Sequence, residues 1–124
     1  MGINNAYFFD SYALVESTQG NPNYVKYLEA DVIITMFNLS EYAYQILKKL
    51  GEQKAKIAYD CFVDCVEEIE KDVLIDAMKF KLQHKKRKLS YADCVGYILA
   101  KKLNLKFLTG DKEFEGFSNV EFVK

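Results

Sequence analysis

The chain has 124 residues, half of them hydrophobic, with one proline and no low-complexity tract, which allows one sizeable core and excludes two ordinary ones. Its 17 Lys and Arg against 18 Asp and Glu give a net charge of −1, so no global basic field advertises nucleic acid. No apolar run reaches the length of a membrane span, and the opening MGINNA has neither a basic signal-peptide start nor a myristoylation pattern, so a cytoplasmic protein is expected.

AYFF, residues 6–9, reads as a short buried strand ending at Asp10, and SYALVEST then turns helical before the breaker QGNPN. YVKYLEA predicts a second short helix. DVIITMF, residues 31–37, is β-branched and apolar, the pattern of a strand covered on both faces. Leu39, Tyr42, Ala43, Ile46, Leu47 and Leu50 follow at helical spacing up to Gly51, and Ala55, Ala58, Tyr59, Phe62 and Val66 repeat the pattern. Cys61 and Cys65 sit four apart in that second helix, a spacing for small structural residues rather than for a disulfide or a zinc site.

EEIEKD, residues 67–72, is expected to hold a short third strand. VLIDAMKFKLQHKKRK, residues 73–88, predicts an amphipathic helix with Leu74, Ala77, Met78 and Leu82 inward. Its end carries His84, the only histidine, and a basic run, Lys85, Lys86, Arg87 and Lys88, that can meet phosphates or cap the helix in solvent. SYADCVGYILA opens a helix to about Lys102, LKFLT is a strand, GDKEF a turn, and VEFV a last short strand. Alternating strands and helices predict one domain over residues 1–124, an α/β sandwich with a mostly parallel sheet, because parallel strands need crossovers.

With a single histidine, any chemistry falls to carboxylates. Ligands of open α/β sheets bind beyond the carboxyl ends of the strands, and acids occur there. Asp10 ends the first strand, Glu41 lies in the first turn after the second, Asp93 opens the late helix, and Asp111 follows LKFLT. Each has a structural use: Asp10 and Asp111 as N-caps, Glu41 beside a helix dipole, Ser90 to Asp93 as a capping box. Meeting in one cleft, they would repel one another unless a cation sat between them. Carboxylate oxygens suit Mg²⁺ or Mn²⁺, which can activate water for phosphodiester cleavage.

FFDSYAL, NLSEYAYQIL and LSYADCVGYILAKKLNLKFLTGDKEF, in this order and spacing, resemble the PIN domain, in particular the VapC-type toxin ribonucleases, over nearly the whole chain. The resemblance implies a three-layer sandwich with about five strands in the order 3-2-1-4-5. It implies a Mg²⁺- or Mn²⁺-dependent endoribonuclease, leaving a 5′-phosphate and a 3′-hydroxyl, with Asp10, Glu41, Asp93 and Asp111 as its catalytic and metal-binding acids. Ser11 matches the hydroxylic residue after the first Asp, Thr109 that of the Thr-x-Asp turn, and Glu113 an additional outer ligand. An antitoxin partner, a homodimer and an RNA substrate met by the run from Lys85 to Lys88 belong to the same expectation.

The usual Thr-Pro of the second strand is replaced here by TMFNLSE, and residues 52–88 match only as a helical pattern. Rival readings are a PIN nuclease of RNA processing or decay, a catalytically silent PIN-like binding module, and a phosphatase or receiver-type domain with a phosphoryl-accepting aspartate. FFDSYAL lacks the second Asp of the usual phosphatase motif.

Overall fold

Strand β1 (Ala6–Phe9) lies in the middle of a parallel sheet in the order β2-β1-β3-β4, with β2 at Asp31–Ile33, β3 at Lys106–Thr109 and β4 at Val120–Phe122. Phe8 pairs with Ile33 on one side and Phe107 on the other, and Leu108 pairs with Glu121. The computed structural model describes residues 5–124.

Successive strand side chains point to opposite faces, and that alternation builds two cores. Phe8 and Phe107 stack at 5.5 Å between centroids on the face covered by α4 (Lys71–Gln83) and α5 (Tyr91–Lys102). Phe9 and Leu108 point the other way, into a core closed by α1 (Ser11–Thr18), α2 (Met36–Leu50) and α3 (Glu52–Phe62). Each fully buried Phe or Leu contributes roughly 1.5–3 kcal/mol. Gly96 of α5 lets that helix come close, because a Cβ there would lie 2.7 Å from the Phe8 ring.

Chain order and sheet type match the expected α/β sandwich, with one strand fewer. The predicted third strand in EEIEKD is reduced to a single parallel bridge, Ile34 to Val66, at the outer edge of β2. Ile34 donates its N–H to Cys65 O at 3.1 Å and accepts from Glu67 N at 2.8 Å, and pairing stops there. Glu67, Glu68 and Glu70 are exposed and only Ile69 packs inward, too little apolar alternation to extend the strand.

Other boundaries also move. The predicted strand over 31–37 ends at Ile33, and Met36 and Phe37 are the exposed first residues of α2. Thr35 and Asn38 form a capping box: Thr35 N donates to Asn38 Oδ1 at 3.0 Å and Asn38 N to Thr35 Oγ1 at 3.4 Å. YVKYLEA is a 3₁₀ turn over Pro22–Tyr27, entered through the Asn21 cap. In α4 the buried positions are Val73 and Ala77, whereas Leu74 and Leu82 are exposed. Phe80 sets that rotation by packing 5.1 Å from Tyr97 and 5.6 Å from Phe117. The helix ends at Gln83, so the basic run lies in the following loop.

The other sheet edge is clasped across the chain. Tyr24 donates its hydroxyl to Val123 O at 2.6 Å, and Tyr27 to Glu121 Oε2 at 2.5 Å. All of these elements end with their site-bearing residues at one rim of the sheet.

Candidate active site

Asp10 follows the last residue of β1 and caps α1, its Oδ1 accepting the Ala13 N–H at 2.8 Å. Its other oxygen accepts the hydroxyl of Thr109, the last residue of β3. Thr109 Oγ1 also accepts the Asp111 N–H at 3.0 Å, so one hydroxyl spans the two acid-terminated strands. The convergence arises because β1 and β3 are neighbours.

Gly110 lies between Thr109 and Asp111 in a space without room for a side chain. A Cβ there would sit 2.2 Å from the Tyr12 ring and 2.4 Å from Val123 O. Asp111 in turn caps a 3₁₀ turn over Lys112–Phe114, accepting from Glu113 N at 3.0 Å.

Glu41 enters from α2, in its second turn rather than its first because the helix begins at Met36. Ser11 Oγ donates to Glu41 Oε1 at 2.5 Å, tying α1 to α2. Asp93 enters from α5, whose capping box is complete: Ser90 N donates to Asp93 Oδ2 at 2.9 Å and Asp93 N to Ser90 Oγ at 3.0 Å. The capping role proposed for Asp93 is thus real, and it coexists with exposure to the cleft. Asp93, Glu41 and Asp111 line one cleft of about 660 Å³ together with Ser11, while Asp10 lies buried beneath them.

The electrostatics reflect that crowding. Burial pushes the Asp10 carboxyl up to about 8, with Asp93 and Asp111 adding repulsion and the Thr109 and Ala13 hydrogen bonds opposing it. Burial raises Asp93 to about 6, with the charges of Asp111 and Glu41 acting in the same direction against its bonds to Ser90. Among the described residues, none of these four acids takes part in an ion pair. Nor are three or more His, Cys, Asp or Glu side chains gathered tightly enough to hold a metal ion as they stand. The donor chemistry still suits a hard divalent cation, since every group is an oxygen donor and their mutual repulsion lacks a counter-charge. The side chains would have to draw together around it.

Glu113 is turned away, its carboxylate 3.7 Å from Arg87 Nε and accepting the Lys88 N–H at 3.4 Å. Arg87 also donates to the Glu113 carbonyl, and its guanidinium lies 4.6 Å from the Phe117 ring centroid. Lys85, Lys86 and Lys88 are exposed on the same loop. Lys81 Nζ donates to Leu89 O at 2.6 Å, fixing the passage from that loop into Ser90 and Asp93.

Sequence reasoning missed the rest of the wall. Glu16, one turn beyond Tyr12 on α1, is a further acid of the cleft, and it accepts Asn21 Nδ2 at 2.8 Å. Tyr12, Tyr44 and Gln45 also line it. Helical spacing from Tyr12 and Glu41 was the available signal: the positions three and four residues further on return to the same side.

The PIN domain family model matches residues 7–120. The chain belongs to the PIN domain family. Solved structures with this PIN fold include a toxin–antitoxin complex from Klebsiella pneumoniae, 21% identical, covering 94% of this chain and 96% of that one, with a TM-score of 0.73. The VapC20 toxin of Mycobacterium tuberculosis, described as cleaving the sarcin–ricin loop, is 16% identical over 96% of this chain and 100% of that one, with a TM-score of 0.79. VapBC2 of Rickettsia felis, bound to a DNA fragment from its promoter, is 17% identical over 96% and 99% of the two chains, with a TM-score of 0.71. No curated protein sequence matches the chain significantly. The PIN fold here has four strands, with the third strand of the expected 3-2-1-4-5 order reduced to the Ile34 to Val66 bridge. No helix among the described residues is long and apolar enough to cross a membrane.

Proposed function

We propose that this PIN domain is a Mg²⁺- or Mn²⁺-dependent endoribonuclease, the toxin of a toxin–antitoxin pair. The observation that carries the reading is the convergence of Glu41, Asp93 and Asp111, from three separate segments, on one cleft above the buried Asp10, with none of the four in an ion pair among the described residues.

Asp10, Glu41, Asp93 and Asp111 would hold the metal, which when bound supplies an activated water and charge stabilisation at the phosphodiester. Thr109 holds Asp10 and the Asp111 backbone in fixed relation, and Ser11 orients Glu41. The capping box fixes the backbone of Asp93 while one carboxylate oxygen remains free of the Ser90 N–H. At pH 7 Asp93, with its carboxyl near 6, is mostly ionised, whereas Asp10 near 8 still keeps its proton and must release it to act as a ligand. The cleaved strand would carry a 5′-phosphate and its partner fragment a 3′-hydroxyl, in keeping with hydrolysis by water.

The exposed Lys85, Lys86 and Lys88, with Arg87 beside them, carry positive charge on the loop that leads into Ser90 and Asp93, and an acidic cleft needs such charge nearby to retain RNA. The toxin assignment is supported by structural relatives solved as toxin–antitoxin complexes. An antitoxin segment would cover the acidic cleft, and the toxin itself would act as a homodimer.

The test is incubation of a mixed structured RNA pool with the purified protein in Mg²⁺ and in Mn²⁺, beside Asp93→Asn and a chelator control. Metal-dependent cuts absent from the variant support the nuclease. Equal cutting by the variant indicates contamination and removes the assignment. Absence of cutting by the folded protein, with no RNA retained, favours a catalytically silent binding module.

A further inference from the structure

Two tyrosines of the cleft have no role in the chemistry above. Tyr24, Tyr27, Tyr42 and Tyr97 spend their hydroxyls on the fold, bonding to Val123 O, Glu121, Thr18 and Ser118 O. Tyr12 and Tyr44 instead line the acidic cleft, Tyr12 from α1 and Tyr44 from α2.

Their settings differ in a useful way. Tyr12 follows Ser11 directly, its ring lying against the backbone of Gly110 and 6.4 Å from the Tyr24 ring, so its position is fixed beside Asp10 and Asp111. Tyr44 is 59% exposed, an outlay of aromatic surface that the core does not use. It lies three residues beyond Glu41 and therefore on the same side of α2. The Lys48 ammonium stands 5.2 Å from its ring centroid, placing a cation beside the aromatic surface.

The floor of this cleft is made of carboxylates, which repel the phosphates of an approaching strand. A metal ion held there would draw in the reacting phosphate alone, so the neighbouring nucleotide needs an uncharged contact, and a nucleobase on an aromatic ring is one available to every base. We propose, resting on the nuclease reading, that Tyr44 and Tyr12 form a stacking platform for an unpaired nucleobase flanking the scissile phosphate. A base within a duplex cannot reach such a platform without being unstacked. Lys48 and the loop from Lys85 to Lys88 then take the phosphates leading into and out of the cleft.

The experiment compares binding of two fluorescein-labelled 12-mers, single-stranded RNA and an abasic ribose-phosphate strand of equal charge, to Asp93→Asn protein, which removes cleavage from the readout. RNA is expected to bind roughly tenfold more tightly than the abasic strand. Adding Tyr44→Ala should abolish most of that preference, whereas Tyr44→Phe, which keeps the ring, should retain it. In the otherwise native enzyme, Tyr44→Ala should raise KM more than it lowers kcat. Equal affinity for the two strands, or a preference that survives Tyr44→Ala together with Tyr12→Leu, overturns the platform even where the native protein cuts RNA. A base preference lost with the rings, in a protein that cuts nothing, keeps the platform and removes the nuclease.

Discussion

Replacing Asp10 by Asn should stabilise the metal-free protein, and the gain should grow with pH. Asp10 is 2% exposed, and burial is the main reason its carboxyl rises from 3.8 to about 8. Each pH unit of such displacement corresponds to about 1.4 kcal/mol, so the fully ionised group opposes folding by up to ~6 kcal/mol. A raised carboxyl leaves the native state holding more protons than the unfolded chain between those two values. Stability is therefore greatest below pH 3.8 and is lost as pH climbs through about 8. Asn occupies the same space, its Oδ1 still accepts from Ala13 N, and its Nδ2 can donate to the Thr109 hydroxyl.

Relaxation around the ionised group reduces the full figure, so the expected gain is about 3 kcal/mol at pH 8 and about 1 kcal/mol at pH 5. For a domain of this size that corresponds to roughly 10 °C and 3 °C in Tm. The assay is thermal unfolding followed by circular dichroism, with excess chelator, across pH 5 to 8. A gain that is constant with pH, or a loss at pH 8, would refute the claim that burial of this charge is what strains the site.

Thr109→Val keeps the shape but deletes the donor to Asp10 and the acceptor for Asp111 N, so it should cost about 2–3 kcal/mol. Urea unfolding would register it as a lower midpoint at unchanged slope. Gly110→Ala places a methyl 2.4 Å from the Val123 carbonyl, which cannot rotate aside as a side chain could, and should destabilise by about 2–3 kcal/mol in the same measurement. Mn²⁺ binding followed by calorimetry should strengthen from pH 5 to 7 as Asp93, near 6, loses its proton. In Asp93→Asn that part of the pH dependence should flatten. Ser11→Ala removes the hydrogen bond that orients Glu41 and should weaken Mn²⁺ binding several-fold with little change in Tm, read by the same two methods.

Asp10, Asp93 and Asp111 were legible because each stands at or beside the end of an element, and because a parallel sheet gathers such ends at one rim; Glu41, in the second turn of α2, was legible only through its order in the chain. The roles of Thr109 and Ser11 came from family resemblance, and the hydrogen bonds now give those roles physical content. What escaped was governed by competition between two local signals. Thr35, Met36 and Phe37 look like the continuation of a strand, but the Asn38 side chain completes a cap that starts the helix earlier. In α4, Leu74 and Val73 begin equally plausible stripes, and the choice is made by Phe80 meeting Tyr97, a contact invisible at the level of periodicity. Glu16, Tyr12 and Tyr44 were hidden for another reason. Helical spacing places Glu16 on the side of Tyr12 and Tyr44 on that of Glu41, but only the neighbouring helix that forms the opposite wall turns those sides into a cleft.

The Thr109 hydroxyl that bridges Asp10 and Asp111 lies 99 positions along the chain from Asp10. β1 is paired on both sides, yet its β3 neighbour is nearly the last part of the sheet to be synthesised. An N-terminal fragment that ends between Glu41 and Thr109 contains Asp10, Ser11 and Glu41 without the partner that fixes the first of them. Long-range closure of this kind also makes folding slow relative to a helical bundle of equal size. A chain that lacks β3 therefore carries Asp10 without the hydroxyl that holds it, and the arrangement of the acids depends on contacts made only when the far end of the chain is in place.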